Sequence, residues 1–297
     1  MSGKKFRYKL EYLLVLSLRF FLNLLPYRTS VFLGSLIGDI TYILIPKRKK
    51  ITLRNLSRCF KNKDKKSLKK IARSAYRNIG KSLAEYILFP KLNKERISEL
   101  VEIRGQEHLD YALKNKKGAV MVSGHFGSWE LMGAALRQRD YPVDFLVGEQ
   151  HNLMVDNLMN RHREMMGIGI IKMGAATRGV IKALRQNRLI AMLSDQDAGR
   201  DGTVISFFGY PASTPKGPAA FSLKTGSPMI MGFMIRENNG KQKVIIRKIE
   251  TGEKTDDREK DINRLTQAYT SLLEEYVKKY PDHWYWLHRR WKSTTGE

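Results

Sequence analysis

His125 and Glu130, in the stretch AVMVSGHFGSWE (119–130), have the types and setting for acid–base chemistry. An imidazole exchanges its proton near neutral pH. A carboxylate five residues on, in the first turn of a helix, can turn back and hold a loop imidazole in one tautomer. A histidine so held is a general base able to take a proton from a substrate hydroxyl. Spacing alone carries little weight. With 6 histidines and 29 acidic residues such a pair arises by chance, and His151 and Asp156 show the same spacing. Context separates the two. Only His125 follows a short apolar run (Ala119–Val122), lies between Gly124 and Gly127, and precedes Ser128, a good helix N-cap type.

The elements needed to position this loop are a buried strand before it and a helix after it. Ala119–Val122 fits the strand, and Trp129–Arg139 carries apolar residues at helical spacing. Further strands are expected over 99–104, 142–147, 168–172, 189–193, 203–208, 229–235 and 243–249. Helices are expected over 67–88, 106–115, 152–166, 177–186, 218–225 and 261–280. Gly209–Gly217 reads as a loop. The alternation argues for an α/β fold, a mixed central sheet flanked by helices. The strand ending at Leu193 runs into Asp195 and Asp197, and open α/β sheets place ligands at this end of their strands.

The chain has 297 residues, 42% of them hydrophobic, enough for a substantial core. Its formal charge of +25 calls for acidic partners: an anionic membrane surface, an acidic carrier protein, a phosphorylated substrate or nucleic acid. The one cysteine, Cys59, excludes an internal disulfide. No Cys/His cluster has zinc spacing and no nucleotide-binding glycine pattern is present, so neither metal nor cofactor is implied. Residues 1–46 read as an apolar membrane-associating helical segment. Its uncharged runs fall short of the about 20 residues a spanning helix wants, so one or two helices lying in or dipping into the bilayer are expected. Residues 47–297 form the remaining domain. Between Lys47 and Lys70 stand twelve Lys or Arg and the one acid Asp64, a net of +11. With Phe60 its one aromatic, too few for base stacking, this block fits a membrane surface rather than nucleic acid.

GHFGSWE resembles the H-x4-D/E motif of the glycerolipid acyltransferases. More narrowly, the chain resembles the bacterial lipid A late acyltransferases. Its other markers are Asn55–Leu56 with Cys59–Phe60, Asn152, Asp195–Gln196–Asp197, Phe207–Gly209, Ser213–Gly217 and the tail Trp286–Lys292. The resemblance implies transfer of an acyl chain from acyl carrier protein or acyl-CoA to a glycolipid hydroxyl, at the cytoplasmic face of the cell inner membrane. The lipid A precursor is the first acceptor, and a mannolipid an alternative. His125 is then the base and Glu130 its orienting acid, with oxyanion donors sought among the backbone amides of 124–127. An arginine is required downstream and maps near Arg161 or Arg163, Arg163 preferred. With Asp195 and Asp197, these arginines are expected to bind substrate. The aromatic–basic tail Trp284–Lys292 is expected to close the site or to form an interfacial aromatic belt. The Asp-x-Asp also allows a metal-dependent glycosyltransferase as a rival.

Overall fold

A computed structural model describes residues 3–296. The helices are α1 (Gly3–Leu24), α2 (Tyr27–Leu44), α3 (Pro46–Cys59), α4 (Lys65–Ile87), α5 (Lys94–Leu100), α6 (Gln106–Lys114), α7 (Trp129–Arg137), α8 (Leu153–Met165), α9 (Ala176–Arg185), α10 (Gly217–Thr225), α11 (Arg258–Lys279) and α12 (Lys292–Thr295). The strands are β1 (Val101–Arg104), β2 (Ala119–Ser123), β3 (Val143–Val147), β4 (Gly169–Lys172), β5 (Leu189–Leu193), β6 (Thr203–Phe207), β7 (Tyr210–Thr214), β8 (Met229–Arg236) and β9 (Gln242–Lys248). Seven strands form one sheet in the order β1-β9-β8-β2-β5-β3-β4. Five run parallel, from β8 to β4. β9 is antiparallel to β8, and β1 follows the direction of β9.

The expected mixed sheet flanked by helices is present. β2 lies at its centre and is buried along its whole length. Its uninterrupted apolar run is what a strand covered on both faces requires. Val120 and Val122 pack on one side with Leu184, Leu265 and Tyr269. Ala119 and Met121 pack on the other with Leu131, Ala135 and Leu136. Consecutive side chains of a strand point to opposite faces, so one apolar run serves two cores.

Several elements differ from the sequence expectation: α5 takes Glu99 and Leu100 from the strand expected over 99–104, and α12 is a further short helix. Tyr210–Thr214, expected as loop, is a strand paired antiparallel to β6 outside the main sheet. The basic block opens with α3, whose Ile51, Thr52, Asn55 and Leu56 face inward while most of its lysines face solvent. Asp64, the acid of that block, caps α4 by accepting the Ser67 amide at 2.6 Å.

Within the apolar N-terminal stretch, residues 3–44 fold into α1 and α2. α2 crosses α4 at close range through glycines: a Cβ on Gly38 would lie 2.3 Å from the Tyr76 carbonyl oxygen. The outer faces of both helices leave Leu13, Leu14, Phe20, Phe21, Phe32, Leu36, Ile40 and Ile43 exposed. Among the described residues no single helix is long and apolar enough to cross a membrane. α2 and α3, bent by 94° at their junction, meet the length and composition test only as a pair.

Candidate active site

The site forms where β2 and β5 end side by side. Their parallel register pairs Ser123 with Leu193. Two residues beyond each strand come His125 and Asp195, so the register itself brings them together. At this edge the chain leaves β2 toward β3 on one side and leaves β5 toward β8 on the other, the place at which open sheets hold ligands.

The partner of the imidazole is Asp195, not Glu130. Asp195 Oδ1 lies 2.7 Å from His125 Nδ1. Its Oδ2 accepts the His125 backbone amide and the Trp284 indole Nε1–H, each at 2.8 Å. Asp195 is therefore a buried orienting carboxylate with both oxygens engaged. The expectation that it binds substrate is corrected, because its burial leaves no oxygen facing one. With Nδ1 tied down, Nε2 is the nitrogen left to receive a proton. The His125 side chain keeps 23% of its surface exposed, enough for a substrate atom to reach it.

Burial opposes charge on the His125 ring. The Asp195 charge and hydrogen bond outweigh it, Glu130 adds a further attraction, and the pKa is raised above its ordinary value. Burial would lift the Asp195 carboxyl, but His125 and the donated hydrogen bonds hold it below the usual range.

Glu130 and Arg163 form a second buried pair. Arg163 Nε donates to Glu130 Oε2 at 3.0 Å and Nη2 to Oε1 at 2.5 Å. The remaining Nη1 donates to Asn160 Oδ1 at 2.8 Å. Glu130 thus holds the arginine of α8 rather than the imidazole, and acts on His125 through its charge. Arg163 faces the protein interior with its fork occupied, which removes the geometric basis for direct substrate contact. Arg161, two residues earlier, points to solvent on the opposite face of α8.

Asp197 is likewise engaged. It accepts the amides of Gly199 and Ser293, each at 2.8 Å, and the Ser293 hydroxyl at 2.5 Å. The Asp-x-Asp therefore spends one carboxylate on the imidazole and the other on the C-terminal tail. Neither presents the free oxygens that a metal–diphosphate reading needs.

The loop glycines serve the fold. Gly127 takes a positive φ of 59°, and a Cβ there would lie 1.9 Å from the Met234 carbonyl oxygen of β8. Three of the loop amides expected as oxyanion donors are occupied. His125 N–H serves Asp195, Phe126 N–H serves the Gly124 carbonyl, and Gly127 N–H serves the His283 carbonyl. Ser128 precedes α7 as expected, but its hydroxyl makes no cap bond and is buried without a partner.

The C-terminal tail forms the wall of the site. Trp284 bridges to Phe126, and the Tyr285 amide donates to the His125 carbonyl at 3.0 Å. Trp284, Trp286, Arg290 and Trp291 are at most 2% exposed, so they are core residues and not a membrane belt. Asn55 of α3 donates to the Trp286 and His288 carbonyls at 2.9 and 2.8 Å, which accounts for that residue in the sequence pattern. His151 stands apart. It is exposed, and Asp156 instead accepts from Gln150 N–H and Asn160.

The sequence marks Trp284 only as part of the aromatic–basic tail, and its indole fixes which oxygen of Asp195 faces the ring. Trp284→Phe should keep the packing but lose that donor. A neutral hydrogen bond lost at a buried charge is worth about 1.5–3 kcal/mol. Transfer should fall roughly ten- to a hundredfold, and the Asp195 carboxylate, less stabilised, should move the acid limb of the pH–rate profile. An unchanged profile would reduce Trp284 to packing.

A family profile describing bacterial lipid A biosynthesis acyltransferases matches residues 2–293. The chain belongs to the bacterial lipid A biosynthesis acyltransferase family. It is an acyltransferase, as the sequence resemblance implied. Its relatives include a lipid A biosynthesis palmitoleoyltransferase of Escherichia coli K12, 25% identical over 273 residues (91% of this chain and 87% of that protein). The lauroyltransferase of the same organism is 26% identical over the same shares. A phosphatidylinositol mannoside acyltransferase of Mycobacterium tuberculosis CDC 1551 is 26% identical over 227 residues, covering 73% of this chain and 69% of that protein.

Proposed function

We propose that this acyltransferase moves a fatty acyl chain from a thioester to a glycolipid hydroxyl through general-base catalysis by His125. The observation that carries the mechanism is the His125 Nδ1–Asp195 contact at 2.7 Å on a partly exposed ring. Asp195 fixes the tautomer with its proton on Nδ1. Nε2 takes the hydroxyl proton as the oxygen attacks the thioester carbonyl. Asp195 stabilises the imidazolium so formed, and the proton can then pass to the departing thiolate. The hydroxyl is itself the nucleophile, so the enzyme needs no serine or cysteine at the site. Cys59 agrees: burial holds its thiol well above the ordinary range, where it is inert.

The acceptor we favour is the lipid A precursor. Relatives named for lipid A match over 84–91% of the chain, and the mannoside enzymes over 71–73%. The donor we favour is acyl carrier protein, because an acidic protein can meet the extended basic surface of a +25 chain at many points, where acyl-CoA brings only its phosphates. Mass spectrometry of lipids from cells with and without the protein tests both reaction and acceptor. A gain of one acyl unit on a glucosamine lipid is expected. A gain on a mannolipid instead would reassign the acceptor.

We place the protein on the cytoplasmic face of the inner membrane, with the outer faces of α1 and α2 in the lipid and the basic block against anionic head groups. Each apolar side chain taken up is worth about 1.5–3 kcal/mol, and each basic residue near the surface about 1 kcal/mol. The full chain should therefore stay on anionic vesicles in high salt. Leu13→Asp/Leu14→Asp/Phe21→Asp, three outward positions, should be released by salt. Release of the wild-type chain by salt alone would remove the apolar anchor from this picture.

A further inference from the structure

Beside the catalytic loop lies a cleft of about 1290 Å³. It opens at the same edge of the sheet as His125. β8 runs parallel to β2, and its last residues, Ile235 and Arg236, form one wall. His283 joins the two regions: its carbonyl accepts the Gly127 amide, and it also lines the cleft. The opposite wall is the start of α2, with Arg28 and Phe32.

The lining is strongly one-sided in charge, with eight Lys or Arg against three carboxylates. The carboxylates are already taken. Glu99 pairs with Arg96, Glu237 with Lys243, and Asp282 with His283 and the Ser74 hydroxyl. Arg236 is held by the buried Glu85. Arg28, Lys81, Lys241 and Lys279 have no carboxylate within 4 Å among the described residues. Lys81, midway along α4, is only partly exposed. Burial and the neighbouring Arg236 push its ammonium below the ordinary range, as expected of a cation short of a counter-ion.

Size and setting narrow the ligand. The volume exceeds the about 300–1,000 Å³ of small-molecule pockets, so an inorganic ion would fill little of it. Phe32 on the rim is 60% exposed, and Leu36 and Ile40 continue that exposed apolar face along α2. A cationic hollow adjoining an apolar face suits an amphiphile with an anionic head.

We propose that this cleft binds the phosphate-bearing head group of a membrane lipid, with Lys81 and Lys279 donating to the phosphate oxygens and the acyl chains lying along α2. Charge-assisted hydrogen bonds to phosphate are the strong class that such lysines make. An acidic carrier protein offers carboxylates too, but it presents a convex surface, and the cleft is concave beside an apolar helix. The assignment rests on the reading that α1 and α2 lie at a membrane.

The test uses a soluble lipid, so the two ideas fail separately. The full chain is titrated by calorimetry with dihexanoyl phosphatidic acid below its micelle-forming concentration. Lys81→Gln/Lys279→Gln should weaken binding about ten- to a hundredfold. Lys114→Gln/Lys182→Gln, exposed on α6 and α9 away from both the cleft and the basic block, should leave it unchanged. Equal binding by the cleft variant and the wild type would overturn the proposal. So would inorganic phosphate binding as tightly as the lipid. Loss of carrier-protein binding with lipid binding intact would give the cleft to the donor instead. Acyl transfer is not the readout, so none of these outcomes bears on His125.

Discussion

Asp195→Asn is expected to reduce single-turnover acyl transfer by about 10²–10⁴-fold, the range a positioned general base contributes, while leaving the protein folded. The geometry dictates how the amide sits. Two N–H donors, from the His125 backbone and Trp284, converge on Oδ2. The amide oxygen must take that place, which turns the –NH₂ toward His125 Nδ1. An N–H facing Nδ1 forces the ring proton onto Nε2, and the nitrogen that should accept a proton then carries one. The pH dependence makes the same point independently. In the wild type the His125 pKa is raised, so activity should fall as pH drops through a value above about 6.5, the reference for histidine. Removing the Asp195 charge leaves burial acting almost alone, and burial lowers a histidine pKa. The acid limb should then move below that reference. Glu130→Gln should shift the limb the same way but less, since its charge acts without a hydrogen bond to the ring. His151→Ala should change neither rate nor limb. A normal rate and profile in Asp195→Asn, with Glu130→Gln inactive, would return the orienting role to Glu130.

What the sequence disclosed and what it withheld divide along contact range. His125 was legible because its cues are local: an apolar run before it, glycines around it, a helical pattern after it. Asp195 was legible as a carboxylate at a strand end, but its role was not. That role depends on β5 lying beside β2 with Ser123 opposite Leu193, a pairing across seventy residues that no local pattern encodes. Glu130 misled for the opposite reason, because a nearby residue in sequence was assumed to be the partner in space. The tail shows the same limit. Its aromatics and arginines look like surface recognition when read as composition. In the fold the three tryptophans and Arg290 fill the core, with Arg290 bonded to Ser213 and Thr214. β7 was missed because Tyr210–Thr214 contains Pro211, which demotes a run to loop unless a two-stranded edge is foreseen.

Arg163→Ala and Arg161→Ala should separate widely, and in stability before catalysis. Arg163 and Glu130 have side chains about 10% exposed, joined by two hydrogen bonds, with Asn160 taking the remaining donor. Removing the guanidinium leaves a buried carboxylate uncompensated, which costs about 3–5 kcal/mol. That is a large part of the about 5–15 kcal/mol that holds a typical domain together. Arg161 is exposed on α8, and its loss should lie within about 0.5 kcal/mol of zero. Urea unfolding of the two variants measures the difference directly. Arg163→Lys should recover little, because an ammonium cannot reproduce the two-pronged contact. Glu130→Leu/Arg163→Met should recover most of the stability, since replacing both partners removes the stranded charge. It should still transfer acyl chains more slowly than wild type, because the Glu130 contribution to the His125 pKa goes with it. If Arg163→Ala instead unfolds at the wild-type urea concentration and raises KM alone, its guanidinium meets the substrate and the buried pair is not its role.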